Sequence, residues 1–343
     1  MAAVHRFPDM QAEPASAEEE NPVLDVGPYL GGEAGARQRL AREVGYALEN
    51  IGFFYIRNHG VSQALIDRVF AENARFHALP LERKLQIRVN ESGIGYMPTG
   101  LQQVKSFEGQ KANKPDIGEA FFMTREGGQG GGVPEAVYRG ANQWPADLPG
   151  FRETLIEYFS ALEALSLRLL PVYATALGLP PEFFDPAFSD NKATGILRLS
   201  HYPSIEIEEN QFNTAPHVDG DFITFLAQSR VPGLHIRTRS RKWIQAPVLP
   251  GTLLVNSGEI LRVWSNDRFL ATPHRVINSG GRERYAIPFF YLPHPETLIE
   301  CLPTCQGPNN PPRYQAITVH AYTDWFAKEN FLHLQSRAGR APY

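Results

Sequence analysis

Apolar residues recur at helical spacing in two early stretches. Over residues 33–51, Leu40, Val44, Ala47 and Ile51 fall on one face, and Gly52 sits where a helix should stop. Over 61–79 the same spacing joins Leu65, Val69, Phe70 and Phe76, and Pro80 closes the run. Between them, Phe53-Phe54-Tyr55-Ile56 is aromatic and β-branched and predicts a strand. Residues 22–26 predict a shorter one. Residues 92–118 are rich in Gly, Lys and polar groups, which predicts a long loop with one strand. Residues 119–123 are strand-like, and 127–147, with the run GGQGGG, predict another loop. A long helix is expected over 149–179, with Leu155, Phe159, Leu162, Leu165 and Leu169 on one side. Pro171 should kink it or end its first part, because proline has no N–H to give the preceding turn.

After about Thr194 the pattern changes. Short alternating segments follow at 196–200, 217–227, 233–237, 243–246, 252–256, 275–278 and 285–291, with turn residues between them. Such spacing predicts an all-β sandwich or barrel. A helix over 319–333 closes the chain. The expected class is therefore mainly β with flanking helices (α+β), the helices packing outside one β core. No linker separates two units. Residues 1–20 read as a disordered tail and 21–343 as one domain. Within it, 21–190 form an N-terminal helix-and-strand region, 191–300 the β core and 301–343 a C-terminal segment with a helix.

Composition narrows the function classes. The chain has 343 residues, with 33 Lys plus Arg against 37 Asp plus Glu, a formal net charge of −4. That mild acidity argues against a nucleic-acid or anionic-membrane partner. No run of about 18 uncharged apolar residues predicts a membrane span. The N-terminus has neither the apolar stretch of a signal peptide nor the acid-poor character of a transit peptide. The only cysteines are Cys301 and Cys305. Two thiols do not make a disulfide framework, and CxxxC lacks the companion ligands of a zinc site. A cytoplasmic protein is expected. The partner expected is a small-molecule substrate, for a monomer or weak homodimer.

Ten histidines occur, and the question is whether three ligands can converge. In a strand, residues i and i+2 share a face. His217 and Asp219, in His217-Val218-Asp219, would then stand side by side. A third ligand must come from a neighbouring strand, and His274 is the natural choice. Two histidines and one carboxylate with open positions form the facial triad of non-haem Fe(II) oxygenases. His201 and His235 are rival ligands without a carboxylate at i+2, and read as structural or substrate-facing. Ten residues after His274 comes Arg284. A guanidinium in a β core is costly unless it meets an anion. A dicarboxylate cosubstrate would supply one; a salt bridge to a nearby acid is the alternative.

At these residues the chain resembles the isopenicillin N synthase-like branch of the 2-oxoglutarate- and Fe(II)-dependent oxygenases. PVLDVGPYL and GFFYIRNHGV resemble the family's N-terminal region, and NQWP with PGFR the entry to its central helix. HVD, NSGEILRVWSNDRFLATPHRV and RERYAIPFF resemble its catalytic core. The likeness covers residues 20–335. It implies a double-stranded β-helix, or jelly roll, buttressed by helices. It implies Fe(II) held by His217, Asp219 and His274, with 2-oxoglutarate and O₂ as cosubstrates. Arg284 matches the arginine for the distal carboxylate of 2-oxoglutarate, and Tyr202 a tyrosine that bonds the same molecule. Ser200 falls where many members carry Asn.

One position departs from the family. Its Arg-x-Ser is Arg284-Tyr285-Ala286 here, which removes a hydroxyl donor worth on the order of 1 kcal/mol. That change leaves room for an oxidase that uses O₂ without 2-oxoglutarate, as isopenicillin N synthase does. A non-catalytic jelly-roll module is the third alternative. Tyr96, Met97, Phe121, Phe212, Leu226, Trp264 and Phe290 are candidates to line the substrate site, with core packing as the alternative for each. Lys105, Lys111 and Lys114 could meet an acidic substrate, and the glycine run could hinge a lid.

Overall fold

The computed structural model describes residues 12, 13, 16, 19–102, 114–127, 138–189, 193–205, 208, 211–278 and 281–331. Most of the expected tail, Lys105, Lys111, most of the glycine run and His333 lie outside the described residues.

The chain opens with β1 (Val23–Asp25), α1 (Gly27–Leu30), α2 (Ala36–Asn50), β2 (Phe53–Arg57), α3 (Gln63–His77), α4 (Leu81–Leu85), β3 (Gly95–Met97) and β4 (Glu119–Thr124). Next come α5 (Phe151–Ala176), α6 (Asp185–Phe188), β5 (Thr194–Tyr202), β6 (Thr214–His217), β7 (Ile223–Gln228), β8 (Leu234–Arg237), β9 (Trp243–Gln245) and β10 (Thr252–Asn256). It ends with α7 (Glu259–Trp264), β11 (His274–Val276), β12 (Arg284–Leu292), β13 (Leu298–Ile299), β14 (Ile317–Thr318) and α8 (Val319–Asn330). The helices at 36–50 and 63–77 bury the faces their spacing predicts, and the side chain of Ser62 caps the second by accepting from the Leu65 N–H.

Two sheets form a jelly roll. The larger runs β1-β2-β10-β7-β12-β5-β4-β3 and the smaller β6-β11-β8-β9. Among the ladders between the described strands, β1 and β2 pair in parallel and the others are antiparallel. Phe53, Tyr55, Tyr202, Leu254 and Ala286 of the large sheet form one apolar cluster with Leu234, Ile236, Ile244 and Val276 of the small one. The outer face of the large sheet packs under α2, α3 and α5 in the main core.

Pro171 does not end α5, which continues through it to Ala176. The carbonyl that loses its partner is that of Leu167, a residue on the exposed side, 42% accessible, where water can replace the bond. The opposite side is fully buried at Leu155 and Leu162. Leu162→Ala is expected to cost about 2–5 kcal/mol, read as a lower urea midpoint with an unchanged slope.

Gly52 both stops α2 and positions the site. Its φ is +83°, and a Cβ there would lie 2.0 Å from Thr272 Oγ1. That hydroxyl donates to the Ile51 carbonyl at 2.8 Å, which fixes the entry to β11.

Candidate functional site

His217 ends β6, and His274 begins β11. The two strands are antiparallel neighbours with His274 directly opposite His217, so the rings stand 4.2 Å apart. Each ring is fixed by its own chain. His217 Nδ1 lies 2.8 Å from the Ala215 carbonyl and His274 Nδ1 lies 3.1 Å from that of Thr272. A nitrogen facing a carbonyl must carry the proton, so in the neutral, metal-binding form of each ring it is Nε2 that keeps the lone pair. Both Nε2 atoms point at Asp219 Oδ1, at 3.7 Å and 3.6 Å.

Asp219 itself does not lie in a strand. The single segment expected over 217–227 is broken after His217, and the chain turns before β7. The reason is α7, a helix the periodicity did not predict: the Glu259 N–H at its start donates to the Asp219 carbonyl at 2.8 Å. Strand alternation was thus the wrong reason for the right neighbours. Asp219 Oδ2 accepts from Asn256 Nδ2 at 2.8 Å and from Thr224 Oγ1 at 2.9 Å, which leaves Oδ1 for the histidines.

Asp221 completes the arrangement, and sequence reasoning missed it, although HVDGD and NSG mark the tight turns involved. Thr224 Oγ1 is also 2.7 Å from Asp221 Oδ2. One hydroxyl proton cannot serve two carboxylates. Burial, then the charge of Asp219, pushes the Asp221 carboxyl well up, so Asp221 can donate to Thr224 while Thr224 donates to Asp219. Burial alone would raise Asp219 too, but His274, His217 and Asn256 hold it low and ionised. Burial, with the charge of His274, lowers His217 to about 3. A Cβ on Gly258 would meet Asp221 Oδ1 at 2.3 Å and its backbone nitrogen at 2.6 Å. Gly258→Ala is therefore expected to displace this turn, read as a lower melting temperature and weaker metal uptake.

The ligand atoms of His217, Asp219 and His274 all lie within 4.8 Å of one another. Two imidazoles and a carboxylate suit a first-row divalent ion with positions left open. Among the described residues a second such group is His77, Glu119 and His201. Lys84 Nζ already sits 2.9 Å from Glu119 Oε2, and the hydroxyl of Tyr96 donates to the same oxygen. His201 bonds Glu119 Oε1 at 2.7 Å and stacks on Tyr285. That cluster has its own cation and is closed. His235 is buried in β8 and paired in register with Arg275.

Two adjoining cavities open beside the triad and share Arg198, His217, Asp219 and Phe290. The inner one is lined by Tyr202, Leu226, His274, Arg284 and Ala286. Arg284 has no measurable exposure. The salt bridge held open for it is not among the described contacts: Nη2 is 3.4 Å from Gln228 Oε1, and Nε and Nη1 have no partner. Its guanidinium lies 5.0 Å from the Tyr202 ring, and Gly233 leaves the room it needs, since a Cβ there would meet Arg284 Cδ at 2.9 Å. A buried guanidinium with two open nitrogens and no carboxylate among its described contacts is a receptor for a carboxylate. Ser200, in β5 beside it, is fully buried and does not line either cavity.

The outer cavity is walled by Phe122, Tyr138, Ile196, Phe290, Leu292, Phe326 and Phe331, with Gln102, Thr323 and Asn330 as neutral polar groups. Of the aromatic and apolar candidates, Leu226 and Phe290 reach a cavity. Tyr96, Met97, Phe121, Phe212 and Trp264 line neither. Tyr96 is taken by Glu119, and Phe121 packs on Phe76 and Phe151. Met97 is buried in the main core, Trp264 packs on Phe184 and Phe222, and Phe212 lies against Arg275. Lys114 pairs with Glu208.

Two family profiles match the chain. Residues 22–147 match the N-terminal region of the non-haem dioxygenase in morphine synthesis, and residues 193–293 match the 2OG-Fe(II) oxygenase superfamily. A 2-oxoglutarate-Fe(II) type oxidoreductase of Emericella nidulans, hxnY, is 34% identical over 307 residues, 87% of this chain and 86% of that protein. The crystal structure of a full-length Neurospora crassa protein in complex with alpha-KG and thymine superposes with a TM-score of 0.80 at 26% identity, covering 93% of this chain and 99% of that one. The JOX2 complex with 2OG, Fe and JA gives 0.74 at 26% identity, covering 99% and 96%.

Proposed function

Given that the chain belongs to the 2-oxoglutarate- and Fe(II)-dependent oxygenases, we propose that His217, Asp219 and His274 hold its iron and that Arg284 holds its cosubstrate. The enzyme couples oxidative decarboxylation of 2-oxoglutarate to oxidation of a small molecule. The observation that carries the residue assignment is the pairing of two vacant imidazole nitrogens aimed at one carboxylate oxygen with a buried guanidinium in the adjoining cavity, two of whose nitrogens have no hydrogen-bond partner.

Iron held there would, with 2-oxoglutarate and O₂, supply the oxidising chemistry: one oxygen atom of O₂ would go into succinate as CO₂ leaves, and the other would oxidise the substrate. The chain's residues do the rest. Ala215 and Thr272 fix the imidazole tautomers, while Asn256 and Thr224 orient Asp219. Arg284 and Tyr202 set the depth of the cosubstrate. Without a hydroxyl at Ala286, the guanidinium carries the carboxylate contact, beside the amide of Gln228. The aromatic wall at Phe122, Phe290 and Phe326 keeps water out and takes the substrate. Relatives are described with thymine and with JA, which supports a small molecule here. The motifs of the N-terminal and catalytic segments support the isopenicillin N synthase-like branch. We also read 21–343 as one catalytic unit, because β1 to β4 hydrogen-bond into the sheet that carries Arg284.

The test is an anaerobic titration with Fe(II) and then 2-oxoglutarate. A visible charge-transfer band should form and vanish on chelation. Iron uptake without any 2-oxoglutarate effect would overturn the role given to Arg284. Asn256→Ala should weaken iron binding roughly 10–100-fold, the range for lost outer-shell partners, measured by competition with a chelator.

A further inference from the structure

A second guanidinium remains unexplained. Arg198 lies in β5 and is 8% exposed. It lines both cavities and is the one Lys or Arg among the described residues lining the outer one. Its Nε is buried without a hydrogen-bond partner. Its described contact is the ring of Phe122, directly opposite it in β4, at 5.2 Å. No described carboxylate forms an ion pair with it.

We propose that Arg198 anchors a carboxylate on the substrate, so that the molecule oxidised is a small organic acid with an apolar, ring-sized body. The proposal rests on the assignment of the metal and cosubstrate sites above and names the substrate class for them. A buried cation without a counter-ion is costly to desolvate, so an anion is expected in the working complex. The acids that line the outer cavity with it, Asp219 and Asp221, form no ion pair with it among the described contacts, and Asp221 Oδ2 is engaged by Thr224. Asp219 Oδ2 is engaged by Asn256 and Thr224, and Oδ1 faces the histidines. Asp116 is the buried acid that feels the charge of Arg198, yet burial still pushes its carboxyl up to about 8, and its Oδ1 accepts from the Ala215 N–H. The cosubstrate has its own receptor in Arg284, which lines the inner cavity and is absent from the lining of the outer one.

The walls specify the remainder of the molecule. Phe122, Ile196, Phe290, Leu292 and Phe326 offer apolar surface, and Phe122 holds the guanidinium edge of the cavity in place by cation–π contact. An acid anchored at Arg198 lies beside His217 and Asp219, which border the same cavity. The anchor therefore sets which carbon faces the metal, and Arg198 is a specificity-determining residue.

The experiment uses the full chain loaded anaerobically with Fe(II) and 2-oxoglutarate. Phenylacetate, cyclohexaneacetate and indole-3-acetate are titrated against their methyl esters, with thermal shift and perturbation of the iron absorption as readouts. The wild type should bind at least one acid about tenfold or more tightly than its ester, the size of one charge-assisted bond. Arg198→Gln should erase that preference, and Arg198→Lys should keep part of it. Equal binding of acids and esters, or no acid binding, by a wild type that forms the band would overturn the inference alone. So would an Arg198→Gln variant whose loss is in 2-oxoglutarate affinity with the acid preference intact. A wild type that forms no band would overturn the assignment of the site and this inference with it.

Discussion

Changing His217 to alanine is expected to weaken Fe(II) binding by more than about a hundredfold and to abolish the band formed with 2-oxoglutarate. Loss of an outer-shell partner alone costs roughly 10–100-fold in such sites, and His217 is one of three groups proposed to touch the ion. The effect should be confined to the site. The residue ends a strand, its side chain is 15% exposed, and its hydrogen bond is to its own backbone neighbourhood. Far-UV circular dichroism should therefore match the wild type. A variant that kept the full band would remove His217 from the ligand set.

Arg284→Met should show two effects of opposite sign. The guanidinium is fully buried, and two of its nitrogens have no partner. Replacing an unpaired buried cation with an apolar chain of similar reach relieves a desolvation cost. The apoprotein is therefore expected to melt at a higher temperature than the wild type. The same change removes a bidentate carboxylate contact. Two bonds at about 1.5–3 kcal/mol each amount to on the order of 10²–10⁴ in 2-oxoglutarate affinity. Differential scanning fluorimetry with and without 2-oxoglutarate reads both effects at once. A retained ligand-induced shift would show that the cosubstrate binds elsewhere.

Much of this was legible in the chain. The helical faces at Leu40 and Val44 and at Leu65 and Val69 are buried as their spacing requires, and the short alternating segments after Thr194 hold strands, with 217–227 broken between β6 and β7. His217, Asp219, His274 and Arg284 do converge, because β6 and β11 are neighbours and α7 folds Asp219 back. What could not be read was which face of a doubly buried strand points inward. Every residue of β4 and of β5 is buried, so apolar character does not distinguish Phe121 from Phe122. The difference lies in pairing register, and Phe122, not Phe121, faces the cavity opposite Arg198. Asp221 and Asn256 were hidden for another reason. Their roles depend on a close approach at Gly258 between segments far apart in sequence, which no local pattern encodes.

The place of β2 in the large sheet bears on how the protein is made. Its partner β10 lies some 200 residues later, with Leu254 opposite Tyr55. At about 5–20 residues per second, a ribosome takes roughly 10–40 s to deliver one strand after the other. Through that interval Phe53, Phe54 and Ile56 have no ladder on that side, and an open apolar edge invites pairing between chains. Of the two histidines of the proposed metal site, His217 is made within that delay and His274 only after β10. The chain is therefore most exposed to misassembly before it can bind its metal, and iron supplied during synthesis has no complete site to rescue it.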